Sequence, residues 1–282
     1  MSGRSLGTMI TYGYPEIDLV DELALAARIG VEVLELLPEW SRFPDPALVR
    51  REAAGRGLVI HSAHGCWGGR TIRAPRVDLG TTDSEAHRQS VDDLRRCVDW
   101  LAEAGGTCLV VHPGGLSDPA DQPDRRAALA RGLLELAEHA RAAGSSVRIC
   151  VENMPPGVHP GSRMADLAEL LRELDHPRLA LALDTGHGNL TFGTAEETLA
   201  AGSLLATTHV HDNNGRQDAH EPPGRGTIDW PAWGRALDEI GYDGPIILEC
   251  IRALRRNESG YRPDVLRGIA RIGKDEPGEA VT

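Results

Sequence analysis

The chain carries eight short apolar runs, each followed by a segment of helical period or by a polar loop. They read SLGTMI, VEVLEL, GLVIHS, TCLVVH, VRICVE, LALALD, ATTHVH and PIILEC. Between them lie amphipathic stretches such as IDLVDELALAARIG, SEAHRQSVDDLRRCVDWLAEAGG, RRAALARGLLELAEHARAAG and ADLAELLRELDHP. Several of these close on Gly with Arg nearby, the usual punctuation of a helix C-terminus. Strand signals alternating with helices read as a parallel α/β fold. Eight such repeats, with no G-x-G-x-x-G, predict a closed (β/α)8 TIM barrel rather than an open doubly wound sheet. The 282 residues fit one barrel, expected over 1–274 as a single domain, with 275–282 a frayed tail.

Composition narrows the chemistry. The only lysine is Lys274, which excludes a Schiff base on a core lysine and a P-loop. A net charge of −12 disfavours nucleic acid and anionic membranes as partners. No run of about 18 apolar residues is present, so no transmembrane helix is expected. The N-terminus MSGRSLGTMITYG lacks the apolar stretch of a signal peptide. Five cysteines with no C-x-x-C pair argue for reduced thiols and a cytoplasmic protein. The sequence leaves the oligomeric state open, a homo-oligomer included.

The polar residues fall in a pattern. In a TIM barrel the active site sits at the C-terminal ends of the strands. Here GLVI ends at His61, TCLVV at His112, VRICV at Glu152, LALAL at Asp184 and PIIL at Glu249, while ATT leads to His209. A single histidine after a strand is usually structural, but the fold gathers all six on one rim. With no lysine there to balance the carboxylates, a bound cation is the economical reading. Asp184-Thr-Gly-His187 adds an imidazole on the turn after strand six. Asp218-Ala-His220 adds two further ligand types on a loop bent by Pro222, Pro223, Gly224 and Gly226.

These residues resemble the xylose isomerase-like barrel superfamily, which includes endonuclease IV and the sugar and sugar-phosphate isomerases and epimerases. The likeness is carried by VDLGTTD, VVHPGG, VEN, LDTGH, HVHD…DAHEPPGRG and LEC. The resemblance to endonuclease IV implies up to three ions. His61, His112 and Glu152 would hold one, Glu152, Asp184, His209 and Glu249 the central one, and His187, Asp218 and His220 the third. The sugar epimerases use the central four for a single ion. His209 is preferred to His211 because Asp212 completes the family's His-x-x-Asp from His209, although strand alternation puts both on the same side. Two departures count against an abasic-site nuclease. The aromatic-aliphatic pair that follows the strand-three histidine is missing, and Arg225 stands where endonuclease IV has an acidic residue.

The expectation is therefore an isomerase or epimerase of a small sugar or sugar phosphate, moving a proton next to a carbonyl through a metal-held enediolate. One to three divalent ions (Mn, Mg, Co or Zn) would serve as cofactor. The resemblance implies Glu152 and Glu249 as the acid–base pair. His187 would orient a substrate hydroxyl. Arg216, less so Arg70, Arg73 and Arg76, would clamp a substrate anion, and Trp67 would cover a sugar face. Trp230 and Trp233 fit a helix start and the core. The alternatives are an endonuclease IV-like phosphodiesterase and a keto-cyclitol or sugar dehydratase on the same barrel.

Overall fold

Each apolar run forms a strand because its β-branched and aliphatic residues cover two buried faces at once. The strands are β1 (Leu6–Tyr12), β2 (Val33–Pro38), β3 (Val59–His64), β4 (Cys108–Val111), β5 (Arg148–Glu152), β6 (Leu179–Asp184), β7 (Leu205–Val210) and β8 (Ile246–Leu248). Every neighbouring pair is parallel, and β1 pairs with both β2 and β8, so the sheet closes on itself. The structure is a computed structural model that describes residues 4–13, 17–67 and 76–255. The expected tail at 275–282 lies outside the described residues, as do Arg70 and Arg73.

Helices α1 (Leu19–Ile29), α2 (Pro46–Ala54), α3 (Ser84–Ala104), α4 (Gln122–Ala142), α5 (Met164–Leu174), α6 (Thr185–Leu190), α7 (Thr194–Ala201), α8 (Trp230–Glu239) and α9 (Ile251–Arg255) return the chain between strands. Their ends follow the chemistry read from the sequence. Asp18, Asp83 and Asp229 cap the first turns of α1, α3 and α8 through their carboxylates. Gly30 and Gly105 stop α1 and α3 at φ 81° and 90°, a conformation open to glycine. Trp230 and Trp233 sit in the first turn of α8 and are buried at 7% and 0% exposure, as expected of core residues.

The main core lies between strands and helices, where Leu23, Leu34, Leu101, Leu129 and Trp233 pack. The barrel lumen is narrower and is filled by small side chains, namely Cys108, Val110, Cys150, Ala180, Ala182 and Ala206. Two register shifts disturb the ring. Between β2 and β3 the pairing jumps from Leu34↔Ile60 to Glu35↔Ser62, so His61 is an extra residue. Between β6 and β7 it jumps from Leu181↔Leu205 to Ala182↔Thr207. Both shifts re-aim the residues that follow toward the mouth.

Candidate active site

Strand ends and the segment after β7 bring most of the expected polar residues to one mouth. Glu152 ends β5, Asp184 ends β6, His209 lies on β7 and Glu249 directly follows β8. Glu152, Asp184, His209 and Glu249 each offer a ligand atom, all within 4.8 Å of one another. His209 Nδ1 is 3.0 Å from Glu152 Oε1 and 3.2 Å from Glu249 Oε2. Glu152 Oε2 and Glu249 Oε2 are buried and accept no hydrogen bond. Buried carboxylates converging on one point with unsatisfied oxygens are costly unless a cation joins them. The donor set of three carboxylates and one imidazole fits a divalent ion.

Two further groups flank this centre. His64, His112 and Glu152 form one, with the two imidazole Nε2 atoms 3.1 Å apart. His211, Asp218 and His220 form the other, with the two rings stacked at 4.0 Å. His187 lies against that outer group, its Nε2 3.4 Å from Asp218 Oδ2, while its Nδ1–H donates to the Asn153 carbonyl at 2.8 Å.

Two of the expected groupings come together differently. His61 is not in any of these groups, and His64 occupies the place assigned to it. The β3 bulge at His61 leaves it level with Thr107, whose N–H donates to the His61 carbonyl, one layer below the mouth and beside Cys108. Its Nε2 finds no hydrogen-bond partner. His211 also joins Asp218 and His220, where His187 was expected as the third member.

Local structure fixes the ligand-type groups. Asp184 caps α6, its Oδ1 accepting the His187 N–H at 2.7 Å, which ties strand end and helix start together. Asn153 bonds the Asp184 backbone in both directions, at 2.7 and 3.1 Å, and so locks the mouth of β5 to that of β6. The segment after β7 is pinned by Asp212. Its two carboxylate oxygens accept from the Asn213, Gly224 and Ile228 N–H groups and from the Trp230 indole. His220 adopts φ 48°, uncommon outside glycine, and its Nδ1 donates to the Glu249 carbonyl at 2.9 Å.

The charges shape one another. Burial alone would raise the Glu152 pKa, but His209, with His112 and His64, holds it well below the ordinary carboxylate range. Burial opposes ionisation of Glu249 too, and His209 and His220 hold its pKa down. For His209 burial is outweighed by Glu35, Glu152 and Glu249, which push its pKa well up.

Above the cluster opens a cavity of about 690 Å³. Glu152, Glu249, His187, Asp218 and His220 line it, and Arg216 and Trp67 stand on its wall. Leu37, Met154, Pro155 and Leu190 supply an apolar side. Asp184 and His209 lie beneath, at 0% exposure. Trp67 packs 5.8 Å from the His112 ring. Arg76 points elsewhere and pairs with Asp93.

Sequence reasoning passed over Glu35 and His64. Glu35 sits in the middle of β2 at 0% exposure, bonded to His209 and Ser62. A lone carboxylate inside the otherwise aliphatic run VLELL was the available signal. His64 was hidden by ending the strand where the apolar run ends, three residues early.

A closed eight-stranded parallel barrel with carboxylates and imidazoles at its C-terminal mouth places the protein among the TIM barrels. The chain belongs to the xylose isomerase-like TIM barrel family, whose profile matches residues 23–268. It is 29% identical over 234 residues to the L-ribulose 3-epimerase of Methylomonas sp. strain DH-1, covering 80% of this chain and 76% of that protein. It is 30% identical over 193 residues to an uncharacterized protein of Methanocaldococcus jannaschii, of whose length it spans 63%, and 63% of this chain is matched. Among solved structures it is similar in fold to a D-tagatose 3-epimerase-like protein. There the TM-score is 0.78 at 22% identity, covering 96% of this chain and 98% of that one. No helix among the described residues is long and apolar enough to cross a membrane.

Proposed function

We propose that the protein is a divalent-metal-dependent ketose 3-epimerase acting on an unphosphorylated sugar. The observation that carries this reading is the pair of carboxylates, buried Glu152 and half-buried Glu249, meeting at His209 Nδ1 from the ends of β5 and β8 on different sides of the barrel mouth. Its likeness to L-ribulose 3-epimerase supports the substrate class.

Epimerisation at carbon 3 of a ketose needs the proton beside the carbonyl removed on one face and a proton returned on the other. One carboxylate would take the proton as the other carboxyl gives one, and the roles exchange in the reverse direction. Glu152, Asp184, His209 and Glu249 would hold the ion, which supplies Lewis acidity toward the neighbouring carbonyl and hydroxyl oxygens. His187 and Arg216 would orient the remaining hydroxyls, and Trp67 with the apolar wall would cover the C–H face of the sugar. Among the described residues lining the cavity Arg216 is the one guanidinium, against three carboxylates, which suits a neutral sugar better than a phosphate ester.

The test is a panel of free ketoses and their phosphates incubated with protein stripped by chelator, then resupplied with Mn²⁺. Interconversion of a free ketose and its 3-epimer, lost on stripping and regained with Mn²⁺, is expected. Turnover confined to phosphorylated sugars, or unaffected by stripping, would reject the reading.

The two flanking clusters favour one second reading, a phosphodiesterase with three ions. Elemental analysis near three ions per chain, together with cleavage of abasic duplex DNA, would establish it in place of the first.

A further inference from the structure

Glu35 is an unexplained charge. It lies on β2, two strands from β8 through β1 and three from β5, yet its carboxylate is fully buried and held at both ends. Oε1 accepts from His209 Nε2 at 2.7 Å, and Oε2 accepts the Ser62 hydroxyl at 2.6 Å. The arrangement depends on the bulge at His61, because that shift sets Ser62 directly opposite Glu35. Burying a carboxylate with only a hydroxyl and an imidazole for partners is a cost that packing alone does not require. A small apolar side chain, like the Cys and Ala that fill the lumen elsewhere, would need no such partners.

The imidazole has two nitrogens and two jobs. With Nε2–H committed to Glu35, the lone pair of the neutral ring falls on Nδ1, the atom facing Glu152 and Glu249. We propose that Glu35 is a positioning residue, which fixes the tautomer and plane of His209 so that Nδ1 is presented to a divalent ion, with Ser62 holding the Glu35 carboxylate in turn. This rests on the ion-dependent reading above. Carboxylate partners of this kind on ligating histidines set ligand basicity and orientation.

The test is isothermal titration calorimetry of Mn²⁺ into chelator-stripped full-length protein. Glu35→Gln keeps the volume and removes the charge. It is expected to raise the dissociation constant of the tightest site by about ten- to hundredfold, while the ion-free protein still unfolds in one cooperative transition. A readout that a merely structural role would not move is ¹⁵N NMR of the Zn²⁺-saturated protein. There the His209 Nε2–H is expected to be protected from solvent exchange in wild type and to exchange faster in E35Q. If E35Q does not fold, Ser62→Ala carries the test, with a rise in dissociation constant of about fivefold expected from one lost hydrogen bond. Wild-type Mn²⁺ affinity in E35Q, or in S62A where E35Q is unfolded, overturns the proposal. So does weakened binding with the His209 tautomer and exchange unchanged. Absence of Mn²⁺ binding to the wild type would instead bring down the metal reading itself, and this inference with it.

Discussion

Asp212 Oδ2 accepts the indole N–H of Trp230 at 3.2 Å, across the base of the segment that carries Arg216, Asp218 and His220. The same carboxylate takes three backbone N–H groups and is fully buried, so the loop is folded around one charge. Gly226 shows how tight the fit is, since a Cβ there would lie 2.1 Å from the Asn213 carbonyl oxygen. Asp212→Ala is expected to cost about 3 kcal/mol, from lost charge-assisted bonds and stranded donors. It should also open 213–227 to limited proteolysis. Denaturant unfolding measures the first; a loss under about 0.5 kcal/mol, the usual size of a surface substitution, would mean that the loop is held by something else.

Glu152 and Glu249 are assigned to the two faces of one substrate. Glu249→Gln should lower kcat by about 10²- to 10⁴-fold, the range for loss of a general acid or base. The measurement is initial rate at saturating ketose and Mn²⁺. A variant that keeps more than about a tenth of the wild-type kcat would remove Glu249 from the pair.

The ion-free protein should show a definite pH response. Burial by itself lowers the pKa of His187, but Asp184, Asp218 and Glu152 raise it to about 10. His220 is likewise lowered by burial and raised to about 10 by Glu249, Asp218 and Asp184. A histidine whose folded pKa exceeds its unfolded value of about 6.5 contributes stability in full below that value. The contribution is lost as pH rises toward 10. In chelator the melting temperature should therefore fall between pH 6.5 and 10, and fall less in His187→Asn. A flat profile, or an equally steep one in the variant, contradicts this.

His64 and His61 can be separated by paired substitutions. His64 Nε2 is 3.7 Å from Glu152 Oε2 and 3.1 Å from His112 Nε2, whereas His61 lies a layer below. His64→Asn should lower activity by about tenfold or more through the support of Glu152. His61→Asn should leave it within about twofold. The opposite ranking would return the strand-three role to His61.

The barrel was legible in the sequence because its signals are local: a strand of three to seven mostly apolar residues and a capped amphipathic helix each announce themselves. Asp184 and Glu249 were legible for a related reason, since each stands next to the end of an apolar run, and His187 follows Asp184 within one turn. What escaped depended on register. With the bulge at His61 it is His64, three residues on, that reaches His112 and Glu152, and no composition or period encodes a one-residue slip. Glu35 escaped because it lies inside a strand rather than at its end, and its partner His209 is 174 residues away. The grouping of His211 with Asp218 and His220 depends on a loop closed by the antiparallel Asp212↔Glu221 bridge, which no apolar period marks.

In the proposed reaction protons are exchanged at carbon 3 of a ketose between two carboxylates under a divalent ion. The most direct test is NMR of a converted ketose, incubated with the Mn²⁺-loaded protein in D₂O. Deuterium is expected at carbon 3 of the epimer formed, and no exchange with protein kept in chelator. Epimer formed without deuterium at carbon 3, or deuterium at another carbon, would contradict it.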